Sequence, residues 1–304
     1  MLRLATFNLK DFFLARKESE NAIVEAKVAN IADNLRRAEA DVVALQEVGS
    51  SELLDRLIVL LPGLGYGTPV VGAPDHRGIR NAILSRRPVV WSQVHQAAEI
   101  PFPRFAEADP VPFPGRIPLR RGVVHVRIEE AGTEVDVLTA HFKSNLPKLQ
   151  KGKDGMDIPD RNLAAAGESA VRSLVLRAAE ALWVRGLVDD IFARSPDHAI
   201  CVLGDLNDTL ESMPVRLVRG IDSKSPHYLH AAEESVEHGQ RFSCFHGNAR
   251  TLIDHLLLSE ALHRGLRSVT IQNEALRYHG PHTDDVPMTE DSDHALIVAA
   301  IDWT

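Results

Sequence analysis

Side chains that can bind a metal ion or move a proton follow short apolar runs at six places along this chain. In each case an apolar run, such as residues 42–45, ends and a carboxylate, an amide or an imidazole comes next. The loops at strand ends of a rigid scaffold carry a large share of binding and catalytic residues. Acids, amides and imidazoles together can hold a divalent cation, orient a water molecule and transfer protons. The residues concerned are Asn8, Gln46 and Glu47, His141, Asp205 with Asn207 and Asp208, Asp254 with His255, and Asp293 with His294.

Each of these residues, taken alone, also has an ordinary structural explanation. Asn8 could be a turn residue, and residues 204–207 are typical of a tight turn. A single histidine such as His141 is more often a hydrogen-bonded structural residue than a catalytic one. Residues 292–294 could cap a helix or a strand. The occurrence of all six groups in one chain favours a catalytic or metal-binding role over a purely structural one.

The order of these segments resembles that of the endonuclease/exonuclease/phosphatase superfamily. That superfamily contains pancreatic deoxyribonuclease, abasic-site endonucleases, sphingomyelinases and inositol-polyphosphate phosphatases. The segment after residue 142 and an arginine in the long helix look more like bacterial nuclease members than inositol-phosphatase members. The matching segments are TFNL (6–9), LQEV (45–48), RNAILSRRP (80–88), TAHFKS (139–144), GDLND (204–208), LIDHLLLS (252–259) and SDHALI (292–297).

The resemblance implies a metal site made by three of these residues. Glu47 matches the main carboxylate ligand of Mg²⁺ or Mn²⁺, cations that prefer oxygen ligands. Asn8 matches a residue that helps to hold this site. Asp293 matches a carboxylate at a second or alternative metal position.

The resemblance also implies roles in catalysis for five residues. Asp205 matches the residue that orients or deprotonates the attacking water, and Asn207 matches a neutral donor to a phosphate oxygen. His294 matches an imidazole that contacts the phosphate, with Asp254 as its orienting partner. His141 matches a second donor to the phosphate. Whether Asp205 or His294 is the general base stays open.

Several cations lie in or beside the matching segments and are candidates for substrate binding. Arg80 and Asn81 match a position that lines the substrate cleft, and Lys143 follows the strand that ends at His141. Arg177 matches an arginine of nuclease-like relatives, although it could equally form a salt bridge with Glu180 or another neighbour. A further group could form a basic rim for a polyanion or be solvated loop charge: Arg104, Arg116, Arg120, Arg121, Lys148, Lys151, Lys153 and Arg161.

Composition narrows the class of protein. The chain has 304 residues, of which 44% are hydrophobic, which is ample for a buried core. It carries 34 Lys and Arg against 42 Asp and Glu, a net charge of −8, which argues against non-specific duplex binding over a wide surface. Two cysteines rule out a disulfide scaffold. No apolar run is long enough to span a membrane. We expect a single domain over residues 1–304, in a cytoplasmic monomer.

The hydrophobic pattern alternates between strands and helices. Helices are predicted over residues 23–37, 51–61 and 163–194, with a short one after Thr209. Irregular segments are predicted at 101–118, which holds six prolines, at 145–161 and at 277–292. Strands are predicted over residues 2–7, 42–45, 81–84, 122–128, 134–139, 199–203, 252–258, 267–271 and 295–301.

The expected fold is an α/β sandwich of four layers, with two mixed β-sheets flanked by helices, as the resemblance implies. The expected function is hydrolysis of phosphodiester bonds by an endonuclease that acts on DNA. The alternatives are the same chemistry on a phospholipid, a sugar phosphate or an inositol phosphate, and a non-catalytic binding protein. No apolar hairpin of the kind that docks on lipid is evident. His279, His282, Asp284 and Asp285 invite a zinc site, but their irregular spacing favours a loop near the cleft.

Overall fold

The computed structural model describes residues 1–101, 116–247, 249–277 and 288–303. Its helices are α1 (Asn21–Ala38), α2 (Ser51–Val59), α3 (Leu163–Arg194), α4 (Met213–Arg219) and α5 (Glu260–His263), with 3₁₀ turns at Glu18–Glu20, Ala232–Ser235 and His238–Gln240. Its strands are β1 (Leu2–Phe12), β2 (Val42–Val48), β3 (Val70–Val71), β4 (Arg80–Ser85), β5 (Val89–His95), β6 (Ile100–Pro101), β7 (Arg116–Ile117), β8 (Val123–Glu130), β9 (Thr133–His141), β10 (Gln150–Lys151), β11 (Asp157–Ile158), β12 (Ala199–Asp205), β13 (His230–Ala231), β14 (Cys244–His246), β15 (Ala249–Thr251), β16 (Asp254–Leu258), β17 (Leu266–Gln272) and β18 (Leu296–Ile301).

Two six-stranded mixed sheets form the centre of the protein. The first has the strand order β17-β18-β1-β2-β4-β3, in which only β1 and β2 are parallel. The second has the order β13-β16-β12-β9-β8-β5, in which only β9 and β12 are parallel. Both sheets are therefore mixed, and the expected fold class is confirmed.

Helices cover the outer face of each sheet. α1 and α2 pack on the first sheet through a core that includes Val28 and Leu35 of α1 and Phe7 of β1. α3 and α4 pack on the second sheet, where Val184 and Val188 lie in the larger core. Leucine and valine side chains buried in this way contribute about 1.5–3 kcal/mol each. The result is four layers, helix–sheet–sheet–helix.

The alternation of side chains along β1 directs one polar face toward the second sheet. Leu4 belongs to the core between the sheets, whereas Phe7 belongs to the core under α1. Thr6 and Asn8 share the face of Leu4. Thr6 Oγ1 donates a 3.2 Å hydrogen bond to Gln46 Oε1, and Gln46 Nε2 donates one of 3.1 Å to Thr139 in the second sheet. This buried bridge fixes the spacing of the two sheets directly beneath the polar residues that follow.

Several elements differ from the sequence prediction. β1 continues to Phe12, past Asn8, because its pairing with β2 shifts register there rather than ending. β5 was not predicted, since it is a largely exposed edge strand without apolar alternation. The predicted irregular segment 145–161 contains the hairpin of β10 and β11, which exposes Met156 and Ile158.

Helix ends follow the capping residues in the sequence. Ser50 caps α2 by accepting a hydrogen bond from the N–H of Glu52, and Asn162 caps α3 by accepting one from Ala165. α3 keeps its predicted bounds. None of the described helices combines the length and hydropathy required to cross a membrane. Arg104 and the His279, His282, Asp284 and Asp285 group lie outside the described residues.

Candidate active site

The register of the second sheet brings three chemically active side chains together. β12 pairs with β9 and β16 so that Asp205 lies beside His141 on one side and Asp254 on the other. Gly204, just before Asp205, has a φ of 142°, and a Cβ there would lie 2.0 Å from the carbonyl oxygen of Ala140. Glycine is needed for β9 and β12 to approach this closely.

The buried Asp205 carboxylate is held by groups from both sheets. Oδ2 accepts a 2.9 Å hydrogen bond from the side chain of Asn8 and lies 3.5 Å from His141 Nε2. Oδ1 accepts a 2.9 Å hydrogen bond from the backbone N–H of Asn207. Burial and the nearby Asp254 raise the pKa of Asp205 to about 7, despite His294 and these hydrogen bonds. A carboxyl group that titrates near neutral pH is suited to accept a proton from water.

His294 and Asp254 form a buried ion pair beside Asp205. His294 Nδ1 lies 2.8 Å from Asp254 Oδ2, and the Asp254 side chain is fully buried. Burial alone would lower the pKa of His294, but Asp254, followed by Asp205 and Asp293, raises it to about 10. The imidazole is therefore a cation at neutral pH in the metal-free protein. His141 differs, because burial, then Arg121 and His294, hold its pKa well below the usual range.

Two serines that the sequence analysis did not assign to the site hold this pair in place. Ser292 Oγ donates a 2.6 Å hydrogen bond to the carbonyl of Asn8 and accepts one of 3.0 Å from the N–H of His294. Ser243 Oγ accepts a 3.2 Å hydrogen bond from the N–H of Asp254. Ser292 lies in the SDHALI segment, so its position before two site residues was the available signal.

An irregular turn in β1 connects Asn8, Glu47 and Asp293. The Asn8 side-chain oxygen accepts a 2.9 Å hydrogen bond from the N–H of Lys10, and Glu47 Oε2 accepts one of 2.8 Å from the N–H of Asp11. Lys10 Nζ lies 2.8 Å from Asp293 Oδ2. Lys10, Asp11 and Glu47 have φ values of 47°, 46° and 60°. Such backbone costs about 1–3 kcal/mol per residue and is concentrated at functional sites.

Two buried lysines lie next to these acids and were missed by the sequence analysis. Lys10 makes the ion pair with Asp293 just described. Lys27, on α1, donates to the carbonyls of Thr289 and Asp291 at 3.2 and 3.3 Å. Burial is the main reason why the pKa of Lys27 is lowered to about 8. The signal for Lys27 was a charged residue inside the apolar stripe of a predicted helix, where a bare charge is costly.

Arg80 and Asn81 lie at the start of β4, next to the strand that carries Glu47. Arg80 pairs with Val48 in the register of β2 and β4. Asn81 is buried and donates a 2.9 Å hydrogen bond to the carbonyl of Gly122, which links the two sheets. The Oδ1 atom of Asn81 has no hydrogen-bond partner among the described residues.

Lys143 and Arg177 hold the segment that follows His141. Lys143 Nζ donates to the carbonyls of Ser144 and Leu146. Arg177 is buried, donates to the carbonyls of Lys143 and Ser144, and lies 2.8 Å from the Asp208 carboxylate. Its ion pair is thus with Asp208 and not with Glu180, which accepts the N–H of Lys143 instead. Both cations therefore hold this segment in position by donating hydrogen bonds to its backbone carbonyls.

Arginines from the end of the proline-rich segment reach the same region. Arg121 lies 3.2 Å from the Asp75 carboxylate and donates to the carbonyls of His141 and Phe142. Arg120 has no acceptor among the described residues, and burial followed by Arg121 lowers its pKa. The field of Arg120 and Arg77 also lowers the pKa of His141, so both lie near that ring.

The lysines of segment 145–161 are largely balanced by acids. Lys151 lies 2.8 Å from the Asp157 carboxylate, and both side chains are about half exposed. Asp154, Asp160 and Lys153 share the same surface segment. Exposed pairs of this kind contribute at most about 1 kcal/mol. The arginines whose charge reaches His141 of the catalytic cluster are instead Arg77, Arg120 and Arg121.

The chain matches the profile of the Endonuclease/Exonuclease/phosphatase family over residues 5–294. This chain belongs to that family. No curated protein matches its sequence. Members of the family are metal-dependent phosphoesterase hydrolases, and this chain is an enzyme of that class.

Solved structures with the same fold act on, or bind, different molecules. The truncated TDP2 of Caenorhabditis elegans is 17% identical over 98% of this chain and 96% of its own, with a TM-score of 0.58. The Danio rerio TDP2 bound to a single-stranded DNA product is 16% identical over 98% and 97%, with a TM-score of 0.54. A mannosyl-6-phosphatase from Bacteroides thetaiotaomicron is 17% identical over 100% of both chains, with a TM-score of 0.60. At these identities the similarity shows the fold alone.

The residues around Glu47 fit the divalent cation that the family requires. Glu47 and Asp293 supply carboxylates and Asn8 supplies an amide oxygen, the hard ligands that such cations prefer. The backbone strain at Glu47 directs its carboxylate to the turn at Lys10 and Asp11, where only one of its oxygens accepts a described hydrogen bond. The second oxygen is available to a metal ion.

Replacing Glu47 by glutamine is expected to weaken metal binding and slow turnover together. The change keeps the size of the side chain but removes the negative charge that attracts the cation. Mg²⁺ and Mn²⁺ affinity, measured by isothermal titration calorimetry, should fall by at least tenfold, while Glu52→Gln, an exposed exchange on α2, should leave it unchanged. Wild-type metal affinity in Glu47→Gln would contradict ligation by this residue.

Proposed function

We propose that this chain hydrolyses phosphodiester bonds with Mg²⁺ or Mn²⁺ and that it cuts DNA within the strand. The observation that carries the proposal is the contact between Asp205 and two groups from different strands, Asn8 and His141, beside the charged His294–Asp254 pair. This arrangement supplies a proton acceptor, a fixed cation and neutral donors within one buried cluster. Phosphodiester hydrolysis needs these three functions.

Asp205 is the proposed general base. Its raised pKa leaves the carboxylate able to take a proton from an attacking water near neutral pH. Its hydrogen bonds with Asn8 and Asn207 hold the carboxylate in one orientation, so that it faces an attacking water from a defined direction. His294 cannot take this role while it is a cation, so we assign to it the stabilisation of negative charge on the phosphate.

His141 and Asn207 are the proposed neutral donors to the phosphate. Neither carries a charge at neutral pH, so each can bind a phosphate oxygen without repelling the His294 cation. The bound divalent cation supplies Lewis-acid stabilisation of the phosphate charge. Lys10 keeps the Asp293 carboxylate in position next to this site through their buried ion pair.

The cations beside the cluster support a polyanionic substrate. Arg77, Arg120 and Arg121 lie close enough to lower the pKa of His141. Arg120 has no acceptor among the described residues, so a phosphate group is a fitting partner for it. The TDP2 structure that holds a single-stranded DNA product has the same fold. These features together favour DNA, in particular a strand whose backbone can approach the cluster.

A sugar phosphate is the second candidate substrate. The net charge of −8 and the pairing of Lys151 with Asp157 limit the basic surface that a long duplex would require. The mannosyl-6-phosphatase of the same fold covers the whole chain. A small monoester would use the same cluster and would need only one or two of the arginines.

A substrate panel tests the proposal. Supercoiled plasmid, a single-stranded oligonucleotide, mannose 6-phosphate, sphingomyelin vesicles and bis-p-nitrophenyl phosphate would each be incubated with Mg²⁺, with Mn²⁺ and with EDTA. Nicking of plasmid that requires metal and is absent in His294→Ala is expected. Hydrolysis of mannose 6-phosphate or sphingomyelin with intact DNA would overturn the DNA assignment and keep the site. Inactivity on all five substrates would contradict both the DNA and the sugar phosphate assignment.

Neutralising Lys148, Lys151 and Lys153 together tests whether segment 145–161 contacts DNA. If they contact phosphates, the triple glutamine variant should bind long DNA more weakly, and its salt dependence should flatten by about one in slope per lost contact. The measurement is fluorescence anisotropy over a salt series, with Lys17→Gln/Lys224→Gln as the control. An unaltered slope would assign these lysines to solvated loop charge, in keeping with the Lys151–Asp157 pair.

A further inference from the structure

Two histidines and a glutamate meet on the surface at the far end of β16 from the active site. His230 lies on β13, which pairs with β16 at Leu258, and Glu260 and His263 lie on α5 immediately after β16. Asp254 of the catalytic cluster begins the same strand. Four residues of strand, roughly 13 Å, therefore separate the two clusters.

The three side chains offer ligand atoms at close range. His230 Nε2 lies 3.1 Å from Glu260 Oε2, and the rings of His230 and His263 stack with centroids 4.3 Å apart. One ligand atom from each residue lies within 4.8 Å of the other two. All three side chains are partly exposed, so they can rotate and a cation can reach them.

Neighbouring residues prepare these groups for a cation. The ring of Tyr228 meets that of His230 edge-on, with centroids 5.3 Å apart, and restricts its orientation. Arg264 Nε lies 2.8 Å from Oε1 of Glu260, so Oε2 remains for the contact with the histidines. Burial and the nearby His263 lower the pKa of His230, and Arg264 is the main reason why the pKa of Glu260 is lowered. Neutral imidazole and ionised carboxylate are the forms that bind metal ions, and both shifts favour them.

We propose that His230, Glu260 and His263 form a second metal site, separate from the catalytic one, that binds Zn²⁺. Two imidazoles and one carboxylate are a recurrent ligand set for Zn²⁺, with water in the fourth position. Imidazole nitrogen is a poor ligand for Mg²⁺, so the two sites select different ions. Zinc–ligand distances of about 2.0–2.1 Å require the ligand atoms to close to roughly 3.4 Å, which rotation of the partly exposed His263 side chain allows.

A bound Zn²⁺ ion would fasten β13 to α5. The His230–Glu260 ion pair and the stacked rings of His230 and His263 join the two elements at this surface. Because a ligand that binds the folded state alone raises its stability, Zn²⁺ is expected to raise the melting temperature. It should do so without contacting the catalytic cluster.

Zinc titration in the presence of saturating Mg²⁺ tests the site. Isothermal titration calorimetry of the wild-type chain should detect Zn²⁺ binding that weakens at least tenfold in His263→Gln and in Glu260→Gln. His238→Gln, an exposed histidine outside the cluster, should bind as the wild type does. Co²⁺ should give the visible absorption of a four-coordinate ion in the wild type and lose it in His263→Gln.

The catalytic cluster is the competing location, because Asp205, Asp254 and His294 also place ligand atoms within 4.8 Å of one another. The His294→Ala variant should keep the Zn²⁺ binding described here, and His263→Gln should keep wild-type phosphoesterase activity. Loss of Zn²⁺ binding in His294→Ala with full binding in His263→Gln would overturn the proposal. Absence of Zn²⁺ binding in the wild type would do the same.

Discussion

Asp205→Asn is expected to lower the turnover number by about 10²- to 10⁴-fold while leaving the fold intact, since a general base contributes on that scale. Asparagine keeps the shape of the side chain, although its single oxygen can accept only one of the two hydrogen bonds, from Asn8 or from the N–H of Asn207, that the two carboxylate oxygens accept. It cannot take a proton from water. The measurement is the initial rate on the best substrate of the panel, at saturating metal, together with the melting temperature.

A matched exchange separates chemistry from a general effect of losing charge. Asp197→Asn changes an exposed aspartate just before β12 and should leave turnover unchanged. His294→Ala should show a loss as large as that of Asp205→Asn, because it removes the cation that faces the phosphate. Turnover within threefold of the wild type in Asp205→Asn would mean that the base lies elsewhere.

Asp136→Asn is expected to lower the free energy of unfolding by about 3–5 kcal/mol, although it lies away from the active site. The Asp136 side chain is fully buried on β9. Its oxygens lie 2.6 Å from His125 Nε2, 2.6 Å from His198 Nε2 and 3.0 Å from Arg127. An amide in this place would remove the buried anion that Arg127 faces, leaving it only the more exposed Glu134, and would leave three donors without a charged acceptor.

The loss of unfolding free energy in Asp136→Asn is expected to become smaller as the pH falls. Burial alone would raise the pKa of Asp136, but His125, His198 and Arg127 outweigh it and hold the pKa well below the usual range. The carboxylate therefore stabilises the folded state at every pH above its unfolded pKa of about 3.9, and this contribution fades as the pH falls further. In urea denaturation, the free energies of unfolding of Asp136→Asn and of the wild type should differ by a large amount at pH 7 and by a smaller amount at pH 3.

Asp190→Asn, an exposed exchange near the end of α3, is the control for this experiment and should change stability by less than about 0.5 kcal/mol. A small effect of Asp136→Asn at pH 7 would indicate that the two histidines and Arg127 find other partners. Retained activity in the folded fraction would separate this network from catalysis.

The sequence by itself determined the family and, through it, the layered α/β fold and the roles of the candidate site residues, because seven segments resemble those of the family in their order. Strands rich in valine and isoleucine, with polar residues at their ends, predicted the mixed α/β pattern and where the site residues lie along the chain. The bounds of α3 were predicted because its apolar positions repeat, and the structure adds the Asn162 cap at its start. The edge strand β5 was missed because no buried face marks it.

Only the tertiary structure decided how the site residues are connected and charged. The pairing of β9, β12 and β16 brings His141 and Asp254, distant in sequence, to Asp205, and Asn8 completes the cluster from the other sheet. Lys10 and Lys27 enter the site through a turn and a helix that no motif marks. The raised pKa of Asp205 and the cationic state of His294 arise from burial and from charges on three different segments. Such effects depend on distances in space, which residue types and spacing along the chain do not contain.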